Sequence, residues 1–376
     1  MALFLRKSPN RLKKMFRRLK DTIFSAYFKI ARAVFPVNIY LFNSPYGYHD
    51  NAKYLLEYFE KQNALVYWVV SPMARIGPRR NVMANSLFLK ILLPRVKVCF
   101  ITHGLGDVCR RLPREVIVVN LWHGIPLKKM GYDSSMDRHR FNLNEGENPY
   151  KKNNFLIAAS EISRPHMQSC MGLSENEVLP LGQPRTDVLY HKGMDSDFCD
   201  SIRADLYGNS KAVFLYAPTF RDSGDAEVIY QCVIESFVNY ANLDDLLVLR
   251  LHAEDQSNAS RLIEKKKNIV LSKAIDPIDD LLVADVLISD YSSIVFDYML
   301  LGRPIFLFVP DYINYVSNRG GLYFDFKDVM RGAIILDNQV DREVWQSYLG
   351  VKDVFYPVAK LMHIKDSSAS LYERFF

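Results

Sequence analysis

At 376 residues, with 49% hydrophobic and 24% charged side chains, the chain is long enough for two well-buried domains and too apolar to be disordered. No run of 18 uninterrupted apolar residues argues for a conventional transmembrane helix. The net charge of +6 is an N-terminal property, because residues 1–35 carry ten Lys or Arg against one acidic residue while the other 341 carry 38 basic and 41 acidic.

The five cysteines, Cys99, Cys109, Cys170, Cys199 and Cys232, form no CxxC pair. A disulfide framework or a structural zinc site is not expected, and a reducing cytosolic setting fits. The N-terminal segment interleaves Lys13, Lys14, Arg17, Arg18 and Lys20 with an apolar set of Leu12, Met15, Phe16, Leu19, Ile23 and Phe24 at roughly helical spacing. Such a segment suits the surface of an anionic bilayer. A helix packed on the protein itself and a nucleic-acid arm are the competing readings. Its basic residues invade the stretch that a signal peptide keeps apolar.

Next come strand-like runs at 37–44, 64–70, 96–102, 116–124 and 153–160, with a helix NAKYLLEYFEK after the first. Lys128–Tyr150 reads as a long polar loop. A second series follows a charged, irregular interval around Gly193–Ser210, with strands at 212–218, 246–252, 268–272, 284–289 and 304–309. Short β-rich runs alternating with helices predict parallel sheets covered by helices. The expected fold is α/β, with two doubly wound Rossmann-like domains facing a central cleft. The expected division is a basic amphipathic segment 1–35, a first α/β domain 36–195, a second α/β domain 196–345 and a C-terminal helical segment 346–376 packing back on the first domain. Neither a Walker loop nor a dinucleotide fingerprint is evident.

Candidate chemistry sits at strand ends. His123 follows VIVVNLW and precedes Gly124-Ile125-Pro126, and a histidine near neutral pKa can take a proton from an attacking alcohol. His252 ends LLVLRLH and could donate a hydrogen bond to phosphate or protonate a departing oxygen; for both histidines a structural role is the alternative. His103, which ends another strand, and His49, after a glycine-bearing turn, are weaker candidates. GQPRTD places Arg185 where it could orient an anion, with Asp187 to hold it. YAPTFRD does the same for Thr219, Arg221 and Asp222. Structural Arg–Asp ties are the alternative at both turns. Ser292 and Ser293, between Asp290 and Asp297, open an apolar helix, either as an anion-binding helix start or as an ordinary serine cap. Asp276, Asp279, Asp280 and Asp285 look metal-like but alternate with apolar residues, so no metal site is assigned.

Together NLWHGIPLKKMGYD, LGQPRTD, YAPTFRD, LRLH, SDYSSIVFDYMLLGRPIFLFVPD and YINYVSNRGGLYFDF resemble, in order and spacing, the CDP-glycerol glycerophosphotransferase family that includes teichoic-acid primases and polymerases. The resemblance spans about residues 38–345. It implies a GT-B-like fold and transfer of glycerol phosphate from CDP-glycerol to a hydroxyl of a lipid-linked wall-teichoic-acid or capsule intermediate, releasing CMP. It also implies a peripheral position on the cytoplasmic face of the cell membrane. CDP-glycerol is then a substrate; no cofactor and no nucleic acid are expected, while metal dependence and oligomeric state stay open. By the resemblance His123 and His252 are the catalytic histidines, and Ser292, Ser293 and Asp297 are donor-binding. Arg185, Thr219 and Arg221 complete the expected substrate contacts. Two departures stand out: Ile125 replaces the family's small polar residue, and Ala253 replaces a proline. A CDP-ribitol or other polyol enzyme, a sugar-nucleotide glycosyltransferase and a noncatalytic membrane assembly factor are the alternatives.

Overall fold

Short apolar runs of β-branched, aromatic and leucine residues form most strands of two parallel sheets. The structure is a computed structural model that describes residues 8–70, 78, 80–109, 112–143, 148–208, 210–219, 221, 226–251, 261, 263–264, 266–318, 320–336, 345, 351 and 353–376, with backbone only for 8–18, 20, 226 and 318. The first sheet holds β1 (Ile39–Asn43), β2 (Leu65–Val70), β3 (Asn81–Met83), β4 (Val96–Ile101), β5 (Ile117–Asn120), β6 (Phe155–Ile157) and β7 (Val178–Leu179), ordered β3-β2-β1-β4-β5-β6-β7. The second holds β8 (Val213–Tyr216), β9 (Leu246–Leu249), β10 (Ile269–Leu271), β11 (Val286–Ser289), β12 (Ile305–Phe308) and β13 (Ile334–Leu336), ordered β10-β9-β8-β11-β12-β13. Both follow the same doubly wound path, giving the expected GT-B-like arrangement. The strands β3, β7 and β13, each two or three residues long, were not anticipated.

Alternation explains the layering. In β1, Tyr40 and Phe42 join the core on one face, and Ile39 and Leu41 the core on the other. In β8, Val213 and Leu215 face one side while Phe214 and Tyr216 face the other. Strands covered on both faces read as continuous apolar runs, as these do.

Among the described residues the first half holds six helices: α1 (Ser8–Val34), α2 (Asp50–Lys61), α3 (Leu87–Leu92), α4 (Ser135–Arg140), α5 (Arg164–Met171) and α6 (Pro184–Lys192). On α1 the apolar residues divide between two faces. Phe28 is buried against the first sheet with Phe24 beside it, and the Arg32 guanidinium donates to the carbonyls of Pro94, Val96 and Glu115. Leu19, Ile23, Tyr27, Ile30 and Val34 point outward. Phe24 therefore does not share the outward stripe with Leu19 and Ile23, because its position on the helix turns it toward Phe28 and the sheet. The interval Lys128–Tyr150 is also more ordered than a loop, since it contains the turn Gly131–Asp133 and α4.

The last helix, Ser367–Phe375, returns to the first sheet, burying Leu371 and Phe375 among Phe42, Phe59 and Phe100. Its first turn is held by Asp187, whose two oxygens accept from the Ser367 and Ser368 amides at 2.9 and 2.8 Å. Asp187 thus caps this helix and does not hold Arg185, contrary to expectation.

Candidate active site

Ligands of doubly wound sheets collect beyond the carboxyl ends of the strands, where strand order reverses. The strand ends of both sheets meet there around a cavity of about 530 Å³. The loop after β5 contributes Trp122, His123 and Gly124, and its continuation Lys128 and Lys129. The second sheet contributes Thr219 after β8, Arg250 after β9 and the Tyr291–Ile294 turn after β11. His123, Thr219, Ser292 and Ser293 therefore share one cavity. His252 and Asp222 lie outside the described residues.

His123 is fixed on several sides. Its Nδ1 lies 3.1 Å from the Thr102 carbonyl, which can only accept, so Nδ1 carries the proton and Nε2 keeps its lone pair. The ring stacks on His103 at 4.2 Å and 9° and on Trp122 at 4.3 Å and 25°. Trp122 takes a left-handed φ of 55°, unusual for a bulky residue, and Asn51 Nδ2 donates to its carbonyl at 3.0 Å. Burial pushes the His123 pKa below the usual 6.5; Arg185 adds to this, while Asp50 and the Thr102 bond oppose it.

Arg185 sits beneath His123 rather than on the cavity wall. Its Nη1 donates to the His123 carbonyl at 2.7 Å and to Asp50 Oδ1 at 2.9 Å, and its Nη2 meets Asp297 Oδ2 at 2.8 Å. One buried guanidinium thus joins a carboxylate of the first half to one of the second. Burial acts to raise both carboxyls, with opposite outcomes. Arg185, with His123 and the Asn51 amide, outweighs burial at Asp50 and holds it below the usual range. At Asp297 burial prevails and the pKa is pushed up to about 6.

Arg221 is also enclosed. Its Nη1 donates to Asp290 at 2.8 Å, and Nε and Nη2 grip Asp311 at 2.9 and 3.2 Å. Asp290 in turn accepts the Thr219 amide at 2.8 Å, so this cluster locks the Thr219 turn to the serine turn. At both arginine turns the guanidinium is tied to carboxylates of the protein itself. Ser292 Oγ accepts the Ile294 amide at a long 3.4 Å. The aspartates 276, 280 and 285 are taken up by Lys53 at 3.0 Å, Arg250 at 2.6 Å and Arg203 at 2.8 Å. Among the described residues no group of three or more His, Cys, Asp or Glu is placed to hold a metal ion.

The two halves are also clasped around the cavity. Gly124 packs on Ser293 so closely that a Cβ there would lie 2.8 Å from Ser293 Oγ. Ile125 is buried in the core of the second half, which explains why an apolar residue serves at this position. Lys128 bridges antiparallel to Leu322, and Tyr323 Oη donates to Asp133 at 2.7 Å. The contributions of Asp50, Asn51, Trp122 and Tyr323 were missed in the sequence. The only signals were their positions, beside His49, next to His123, and within the GGLY segment.

The sequence profile of the family described as CDP-Glycerol:Poly(glycerophosphate) glycerophosphotransferase matches residues 26–341. The chain belongs to this family. It is an enzyme of the family, a glycerophosphotransferase, and is 28% identical to the teichoic acid glycerol-phosphate transferase of Staphylococcus aureus across 96% of the chain and 97% of that protein. It is also 28% identical to the teichoic acid poly(glycerol phosphate) polymerase of Staphylococcus epidermidis across 87% of the chain, but spans only 48% of that longer protein. In structure this glycerophosphotransferase is similar to a variant of the wall teichoic acid polymerase TagF, with a TM-score of 0.74 at 23% identity, covering 97% and 96% of the two chains. At that identity the likeness speaks to the fold.

Proposed function

We propose that this enzyme transfers glycerol phosphate from CDP-glycerol to a hydroxyl of a lipid-linked wall-teichoic-acid intermediate, with His123 as general base. The observation that carries the reading is one cavity holding the fixed His123 imidazole from one half and Thr219, Ser292 and Ser293 from the other. With Nδ1 bonded to Thr102, His123 Nε2 takes the acceptor's hydroxyl proton. The acceptor oxygen bonds to the β-phosphorus as the bond from that phosphorus to the bridging oxygen breaks, and CMP leaves with the bridging oxygen. Ser292 and Ser293 offer hydroxyls to the diphosphate, and Thr219, whose Oγ1 is enclosed, lines the wall beside them. His252, assigned by the family resemblance, is the second functional histidine. Arg185, Arg221 and Asp297 act by holding the walls in place, as their buried ion pairs support.

The acceptor's lipid calls for a membrane-facing surface, and α1 supports one. Leu19, Ile23, Ile30 and Val34 are all more than half exposed and recur at helical spacing. Tyr27 Oη donates to the Ile91 carbonyl at 3.0 Å, bringing the exposed Leu87, Phe88 and Ile91 of α3 alongside. Among the described residues no helix is long and apolar enough to cross a membrane. We read attachment through this face as peripheral, and the cytoplasmic side is what the family resemblance implies.

The test is CMP release and product mass with CDP-glycerol and a matched lipid acceptor. His123→Gln is expected to retain donor binding and lose about 10²- to 10⁴-fold in turnover. Unchanged turnover would remove the base assignment, and a glycosidic product or no transfer from any CDP-polyol would overturn the reaction.

A further inference from the structure

His103 has no part in the reaction as described, yet its ring is the closest aromatic neighbour of His123. Both His103 and Trp122 lie nearly parallel to the His123 ring, with centroids 4.2 and 4.3 Å away. Two rings this close and this parallel cannot share one face without overlapping each other, so they occupy opposite faces. The imidazole is sandwiched. Only its edge is free, and Nδ1 on that edge is already bonded to Thr102, which leaves Nε2 to address the cavity.

The clamp is itself braced. Thr102 Oγ1 lies 2.9 Å from His103 Nδ1, Asn120 Nδ2 donates to the His103 carbonyl at 3.1 Å, and Tyr46 stands edge-on to the His103 ring at 5.1 Å. Asn120 also accepts the Trp122 amide at 2.9 Å, so one side chain sets both jaws. We propose that His103 is a positioning residue for the phosphotransfer, closing one face of His123 against water so that Nε2 is held aimed at the acceptor hydroxyl. The proposal rests on the reading of His123 as base.

Among the described residues, the charged and titratable groups that face the pair are few. Asp50 and Arg185 face His123 from α2 and α6; His49 and Asp50 face His103, with Tyr46 on the same loop. Burial, followed by the proximity of His123, lowers the His103 pKa to about 4, so His103 stays uncharged wherever His123 works. A neutral ring face beside His123 also tolerates the cation that forms when Nε2 takes the acceptor's proton. Stacking fixes the orientation of Nε2, and small displacements of a catalytic group cost up to about 100-fold in rate.

The test combines kinetics with direct titration of His123 by NMR in histidine-labelled enzyme, for wild type, His103→Ala, His103→Gln and His103→Phe. Ala and Gln remove the ring and should lower kcat about 10- to 100-fold with donor KM within about twofold. They should also move both the His123 titration and the acid limb of kcat upward, toward 6.5. Phe keeps the cover and should restore the wild-type titration and most of kcat. A His123 titration unmoved in Ala or Gln, or moved equally in Phe, overturns the proposal. His123→Gln in the same series keeps the two ideas apart: retained turnover there removes the base reading, while the NMR titration still decides whether His103 governs His123.

Discussion

Arg185→Met should be the most damaging single substitution away from the cavity wall, for reasons that the ion pairs make quantitative. The guanidinium lies between Asp50 at 2.9 Å and Asp297 at 2.8 Å, with all three side chains at most 10% exposed. Methionine fills the stem's space but leaves two buried carboxylates and the His123 carbonyl without their donor. Removing one partner of a buried pair costs about 3–5 kcal/mol, whereas the pair's own net worth is small. The loss should depend on pH in a defined direction. In the wild type the Asp297 pKa is raised to about 6 from the unfolded 3.8, so this group's stabilisation is fully present below 3.8 and declines as pH rises toward 6. Without Arg185 both carboxyls bind protons more tightly in the folded state, and the decline continues to higher pH. The deficit of the variant should therefore widen from pH 5 to pH 7.5. Urea unfolding followed by tryptophan fluorescence at the two pH values measures it. Adding Asp297→Asn to Arg185→Met should recover at least about 1 kcal/mol at pH 7.5, because a buried amide is cheaper than an unpaired carboxylate. A deficit below about 1 kcal/mol at pH 7.5, or one larger at pH 5, would refute the account.

Three further outcomes are expected. Gly124→Ala forces a Cβ to within 2.8 Å of Ser293 Oγ and 3.4 Å of Ser293 Cβ, and should destabilise by about 1–3 kcal/mol, with Ser293→Ala in the same chain relieving part of it in thermal melts. The kcat/KM profile should stay level as pH falls through 6.5 and drop only below it, since burial holds the His123 pKa under that value and the base works deprotonated; an acid limb at or above 6.5 contradicts this. Ile23→Glu with Ile30→Glu should weaken binding to anionic vesicles while leaving turnover of a soluble acceptor unchanged. These substitutions test the outward face better than deletion of α1, whose inner face buries Phe28 in the first core.

The fold was legible because its longer strands are covered on both sides and so appear as unbroken apolar runs. The strands that escaped notice, such as Val178–Leu179, are too short to show any period. Within the site, His123, Thr219, Ser292 and Ser293 could be found because each lies three or four residues past the end of a strand, and parallel sheets send that end of every strand to one place. The arginines illustrate the opposite case. An Arg near an Asp on a turn has the same sequence appearance whether its donors meet a phosphate or a carboxylate. The partners that decide between these stand 135 residues away for Arg185 and Asp50, and 69 and 90 away for Arg221. Asp187, the neighbour in sequence, was spent on the last helix instead. Hence strand-end position reports which hydroxyls and imidazoles reach the cleft, but an ionic side chain's role is set by charges that only the closed pair of domains brings together. The same reasoning explains the serine turn: its hydroxyls reach the cavity because Asp290 and Arg221 fix the turn from behind, leaving Ser292 and Ser293 in front.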